Sequence, residues 1–227
     1  MLGERNTTLE TAVRAWMIKA LGEVPELQDV PRPVPAKGEA LVRVGSAGIN
    51  FADLLMIAGT YQARPPLPFV PGLEFAGIVD ALGPDTAGPG IGARVLGVSG
   101  SGAMADWVCV PVDRLSAVPD AMSLDEAAAF PIAYGTSHLA LDWKAAVQPG
   151  ETLFVTGAAG GVGLTAVEIG KRLGARVIAS ARGAGRLSVA AAAGAARVVD
   201  SDDPALQGDA LKDRLRAEGG VGVVYDA

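Results

Sequence analysis

Between positions 153 and 164 the chain reads LFVTGAAGGVGL, an apolar run that breaks into Gly157, Gly160, Gly161 and Gly163. The glycines at 157, 160 and 163 form a variant of the G-x-G-x-x-G pattern, in which backbone N–H groups approach a pyrophosphate. Glycine suits that task because a Cβ would hold the phosphate off. A helix opening just after the turn adds partial positive charge. Two other readings fit the glycines alone: a turn that only packs helix on strand, or a site for another ligand such as the sulfur cofactor of a methyltransferase. Here the series lies between a predicted strand over 152–156 and a predicted helix over 161–173. It also heads a β-α-β series, and that context points to a dinucleotide.

The next strand end decides which dinucleotide. An NAD site places Asp or Glu there for the ribose 2′-hydroxyl. Residues 177–186 read VIASARGAGR and contain no acid. Ser180 can donate to a 2′-phosphate, and Arg182 and Arg186 can pair with one. Each charge-assisted bond is worth about 1.5–3 kcal/mol. NADPH is therefore the expected cofactor.

The scarcest residues limit everything else. One Cys, Cys109, and one His, His138, are present. They allow neither an intramolecular disulfide nor a Cys/His zinc cluster. Ser-His-Asp catalysis would have to use His138. That residue follows Thr136 by two positions on a predicted helix and points away from its face, so it reads as a surface or packed histidine. Cys109 reads as a small buried hydrophobe, and Asp53 and Glu74 as hydrogen-bonding scaffold.

The positioning elements follow from composition and pattern. The chain has 227 residues, 50% hydrophobic and 19% charged, with aromatics at 5% and a net charge of −6. This is globular composition, and it lacks the basic field of a dedicated nucleic-acid binder. No apolar run reaches the roughly 18 residues a bilayer demands. The first residues carry Glu4 and Glu10 and no secretory pattern, so a cytoplasmic, non-membrane protein is expected. Glycine, at 30 residues, is nearly twice its usual share of about 7%.

A leader over 1–13 precedes short predicted strands at 14–20, 39–47, 74–82, 93–98 and 105–111, with a helix at 51–58. The proline-rich stretch 25–35 reads as extended. That is the pattern of a compact β barrel or sandwich over 14–122. Ser123 and Glu126 form a capping box that opens a helical region continuing to 144. From 151 onward, strands at 152–156, 175–180, 197–200 and 221–225 alternate with helices at 161–173, 186–193 and 210–218. This predicts a parallel, doubly wound α/β sheet over 123–227.

Several segments together carry a resemblance: AGINFAD at 47–53, GTYQ at 59–62, FVPGLEFAG at 69–77, AYGTSH at 133–138 and the glycine turn. The chain resembles the zinc-free quinone oxidoreductases of the medium-chain dehydrogenase/reductase superfamily, the group that includes zeta-crystallin. The resemblance spans roughly 14–227. It implies a GroES-like catalytic domain followed by a Rossmann domain. Zinc-dependent relatives carry Cys where Asn50 stands and His where Leu73 stands, so it implies no metal. It also implies site residues. Asn50 lies near the nicotinamide and its ribose. Tyr61 belongs to the quinone loop, and Tyr61 or water is the candidate proton donor. Thr136 touches the nicotinamide half. Gly160, Gly161 and Val162 line the pyrophosphate, beside Gly157 and Gly163. Arg186 meets the 2′-phosphate.

The implied reaction is hydride transfer from NADPH to a quinone or an α,β-unsaturated carbonyl. Two alternatives stay open: an enoyl or acryloyl thioester reductase of the same superfamily, and a non-catalytic NADPH-binding module. Relatives continue past the position of Ala227. The resemblance therefore implies a C-terminally truncated, incomplete Rossmann domain and homo-oligomers for full-length relatives.

Overall fold

The computed structural model describes residues 12–206 and 208–227. The leader expected over 1–13 lies outside the described residues, except for Ala12 and Val13, which open the first strand. Two compact units meet in sequence at Ile132 and Ala133.

In the first unit, β1 (Ala12–Met17) pairs antiparallel with β2 (Glu26–Pro31). The proline-rich stretch thus contains a paired strand, with Pro31 at its last residue, where a missing N–H is tolerated. Five further strands form one antiparallel sheet in the order β6-β3-β4-β5-β7. They are β3 (Glu39–Gly48), β4 (Glu74–Leu82), β5 (Arg94–Val98), β6 (Trp107–Pro111) and the three-residue β7 (Leu115–Ala117). Alternate residues face its core: Ala40 and Val42, Phe75 and Val79, Val108 and Val110 are all buried together. Helix α1 (Phe51–Ile57) leaves the end of β3 and stops before Gly59, whose φ of +73° suits a residue without Cβ.

Helix α2 (Leu124–Ala128) begins at the expected box. Ser123 Oγ accepts the Glu126 N–H at 3.2 Å, and Glu126 Oε2 accepts the Ser123 N–H at 2.8 Å. Its Ala127 and Ala128 bury against Ala76 and Val118. This short helix therefore packs within the first unit.

Helix α3 (Pro131–His138) runs into a π-helical stretch, Leu139–Lys144. The single predicted helix is thus two pieces of different pitch.

The second unit is a four-stranded sheet in the order β10-β9-β8-β11, with every neighbouring pair parallel. The elements alternate as β8 (Thr152–Val155), α4 (Gly161–Arg172), β9 (Arg176–Ala181), α5 (Gly183–Ala193), β10 (Arg197–Asp200), α6 (Asp209–Ala217) and β11 (Val223–Tyr225). Strand alternation sorts the core into two faces. Leu153, Val155, Val177 and Ala179 pack with Ala166 and Val167 of α4 and Ala190 of α5. Phe154, Ile178 and Val199 face Leu211 and Leu215 of α6. Helices on both faces make the sheet doubly wound, as the sequence predicts. The chain steps outward from β8 to β10 and then crosses back to β11. The order reverses between β8 and β11, the switch point where such sheets take ligands. Among the described residues, no helix is long and apolar enough to cross a membrane.

Leu153 is fully buried in β8. Leu153→Ala should cost about 2–5 kcal/mol, read as a lower urea midpoint with an unchanged m-value.

Candidate functional site

In the second unit the glycine turn occupies 156–160 at the carboxyl end of β8. Gly160 is the N-cap of α4, and the first intrahelical bond runs from Leu164 N–H to Gly160 O at 2.8 Å. The N–H groups of Gly161, Val162 and Gly163 therefore have no backbone acceptor among the described residues. They open at the positive end of a twelve-residue helix. A Cβ on Gly161 would meet nothing within 4 Å, whereas one on Gly163 would lie 2.2 Å from the Gly157 carbonyl oxygen. Gly161 is thus open to a ligand, and Gly163 lets helix and turn close on each other. Gly157 has φ +54°, which favours glycine. These groups fit a pyrophosphate.

Thr156 fixes the turn to β11. Its N–H donates to Tyr225 O at 2.9 Å, and its hydroxyl donates to Asp226 Oδ1 at 2.6 Å. From the other side, Ala158 N–H donates to Ser180 O at 3.0 Å.

Helix α5 starts at Gly183, one turn earlier than predicted, so Arg186 is its fourth residue. Arg186 is exposed and has no ion-pair partner among the described residues. Arg182 is exposed and pairs with Asp202, Nε to Oδ1 at 3.2 Å. Ser180 is buried at the end of β9. The acid absent from 177–186 arrives from the next strand: Asp200 Oδ1 accepts the Gly183 N–H at 3.1 Å and the Asp202 N–H at 3.0 Å. These contacts hold its carboxylate below the ordinary Asp range. Sequence spacing gives no sign of them, because β10 joins β9 only through the sheet.

Thr136 is exposed on α3, while its neighbour Ser137 is fully buried. His138 is exposed and lies 3.6 Å from Asp142, one helical turn on.

In the first unit Asn50 precedes α1. Its backbone N–H donates to Asp53 Oδ2 at 2.8 Å, and its side-chain Nδ2 donates to Glu74 Oε1 at 2.7 Å. Glu74 Oε2 accepts the Ile132 N–H at 2.7 Å, and Asp53 Oδ1 accepts the Gly72 N–H at 3.1 Å. Both carboxyls are buried, and burial pushes both pKa values up, only partly opposed by these hydrogen bonds. The Glu74 bond thus fixes the orientation of the Asn50 amide. Tyr61 is half-buried against Ile18, Met56, Phe69 and Leu73. Cys109 sits half-buried in β6, where burial pushes its thiol up to about 11. Among the described residues, no group of three or more His, Cys, Asp or Glu is placed to hold a metal ion.

The alcohol dehydrogenase GroES-like domain family matches residues 36–120. Quinone oxidoreductase-like protein 2 of Mus musculus is 40% identical over 215 residues, which are 94% of this chain and 61% of that protein. The quinone oxidoreductase of Thermus thermophilus, solved also as its complex with NADPH, superposes with a TM-score of 0.81 at 36% identity, over 93% of this chain and 65% of that one. The human synaptic vesicle membrane protein VAT-1 homolog-like protein gives a TM-score of 0.86 at 32% identity, over 94% of this chain and 67% of its own. The chain spans less than two thirds of the curated relatives' length, as the 61% of the mouse protein shows.

The buried Glu74 carboxyl makes a pH prediction. An acid whose pKa is raised by folding stabilises the fold when protonated, and that contribution is lost as pH rises through the folded value. Glu74→Gln removes the titration. Urea unfolding of both proteins should therefore show the wild type losing stability relative to Glu74→Gln as pH climbs above the ordinary Glu value of 4.5.

Proposed function

The chain belongs to the medium-chain dehydrogenase/reductase superfamily, and on that premise we propose that it is an NADPH-dependent oxidoreductase reducing a quinone or an α,β-unsaturated carbonyl. The observation that carries this reading is a pair of positively polarised helix starts at neighbouring strand ends of one sheet, each suited to an anion. Free N–H groups of Gly161, Val162 and Gly163 open α4 at the end of β8. The cations Arg182 and Arg186 flank the start of α5 at the end of β9. A pyrophosphate and a 2′-phosphate are the two anions of NADPH. The Thermus thermophilus relative solved with NADPH supports the same reading.

When bound, NADPH supplies the hydride; the chain supplies position and charge. The three N–H groups and the positive end of α4 hold the pyrophosphate. Arg186, which has no carboxylate partner among the described residues, is the principal partner for the 2′-phosphate, and Arg182 shares its charge with Asp202. Thr136 offers its exposed hydroxyl to the nicotinamide half. Asn50 offers its amide oxygen to the nicotinamide ribose. Tyr61 Oη gives a proton to the reduced acceptor's oxygen. Asn50 and Leu73 stand where a zinc site needs Cys and His, so the proposed chemistry is metal-free. An acceptor with no metal to polarise it must already be electron-poor, and quinones and enones qualify while simple ketones do not.

Calorimetry with NADPH and NADH, and NADPH oxidation with benzoquinone or crotonyl-CoA, test the reading. NADPH should bind more tightly than NADH. Arg186→Ala should weaken NADPH about tenfold and leave NADH unchanged. Equal loss for both coenzymes would remove Arg186 from the 2′-phosphate site. Turnover of crotonyl-CoA in place of the quinone would reassign the enzyme to thioester reduction. Tyr61→Phe should lower kcat with quinone; an unchanged kcat/KM takes away its role as proton donor.

A further inference from the structure

Three hydroxyls meet beneath the first turn of α4. Ser137 Oγ lies 2.8 Å from the Val162 carbonyl oxygen, 2.8 Å from Thr165 Oγ1 and 3.1 Å from the Tyr225 hydroxyl. Ser137 is 0% exposed, Thr165 6% and Tyr225 9%. They come from α3, α4 and β11, three elements far apart in the chain. A carbonyl only accepts, so Ser137 gives its one proton to Val162 O. Its acceptor sites are then open to the Tyr225 hydroxyl. Thr165 Oγ1 also lies 3.0 Å from the Ala133 carbonyl, 3.0 Å from the same Val162 carbonyl and 3.3 Å from the Gly161 carbonyl, so its one proton is shared among these acceptors.

The Val162 carbonyl shares its peptide unit with the Gly163 N–H. That N–H is one of the three left without a backbone acceptor at the start of α4. A hydrogen bond to the carbonyl end of an amide polarises its N–H end, and chains of such bonds reinforce one another. The same bond fixes the plane of the peptide and so the direction of the N–H.

We propose that Ser137 is a positioning residue for the pyrophosphate: it touches no ligand, but its hydroxyl holds and polarises the Val162–Gly163 peptide that donates to the diphosphate. The inference rests on the NADPH reading above. It assigns Ser137 and its two hydroxyl partners a part in coenzyme affinity, and it limits that part to one segment of the coenzyme.

The limit makes the test. ADP has the diphosphate and no 2′-phosphate, and adenosine 2′-monophosphate has the reverse. Calorimetric titration of the whole chain with each, and with NADPH, separates the two sites. Ser137→Ala should weaken ADP and NADPH about fivefold and leave adenosine 2′-monophosphate unchanged. Tyr225→Phe, which removes the proton given to Ser137 and keeps the ring, should weaken ADP in the same direction by a smaller factor. It serves as the second measurement should Ser137→Ala fold poorly, with circular dichroism melts on both. Equal weakening of ADP and adenosine 2′-monophosphate would show general damage and overturn the proposal, as would unchanged ADP binding in both variants. A wild-type chain that binds adenosine 2′-monophosphate but not ADP overturns the proposal and leaves the 2′-phosphate site standing. One that binds none of the three overturns the NADPH reading itself.

Discussion

Helix α4 approaches the end of β8 so closely that one methyl group would not fit. A Cβ on Gly163 would fall 2.2 Å from the Gly157 carbonyl oxygen, well inside any tolerable contact. That approach aims the first N–H groups of the helix at the space above the turn. Around it, the neighbouring strands grip the loop: β9 through Ser180 O and β11 through Tyr225 O. Leu153 and Val155 below hold the helix down through Ala166 and Val167. The hydrophobic face and the N–H groups that open α4 therefore depend on one packing arrangement. Sheet packing fixes where the helix starts, and the helix start fixes where positive potential appears.

The first unit solves a different problem. Asp53 and Glu74 are both buried, with no cation beside either among the described residues, a costly arrangement unless every oxygen finds a donor. They find donors in the backbone of Asn50, Gly72 and Ile132 and in the Asn50 amide. Gly48 belongs to the same solution, since a Cβ there would lie 2.3 Å from Glu74 Oε1. The carboxylates thereby orient Asn50. One Nδ2 hydrogen is committed to Glu74, and that bond fixes the orientation of the amide.

Much of this was legible because the signals were local. The glycine turn, the Ser123–Glu126 box and the alternation of strands and helices in the second unit depend on neighbours in sequence, and the structure shows them within about one helical turn. The strand within 25–35 was hidden because proline is common there, and only pairing with β1 reveals it. Strand β7, three residues long, is too short to carry a period. Ser137 gave no signal because its partners lie 28 and 88 positions away. Asp200 and Asp202 escaped for the same reason: sheet order, not spacing, brings them to the start of α5. Hydroxyl relays and cross-strand carboxylates are set by topology, and topology is the part of a single sequence read last.

The Thr156 bonds to β11 have a consequence in time as well as space. Thr156 and Asp226, which share one of them, are separated by 70 positions. Closing so long a loop carries an entropic cost that nearby contacts do not. As the chain emerges from the ribosome, β8, α4 and β9 can collapse together early. The glycine turn then stays tethered on one side only, by Ala158 to β9, until residues 223–227 have been made and docked. The glycine turn is thus among the last parts of this unit to take its final shape, although the strand that leads into it is the first of the unit to be synthesised.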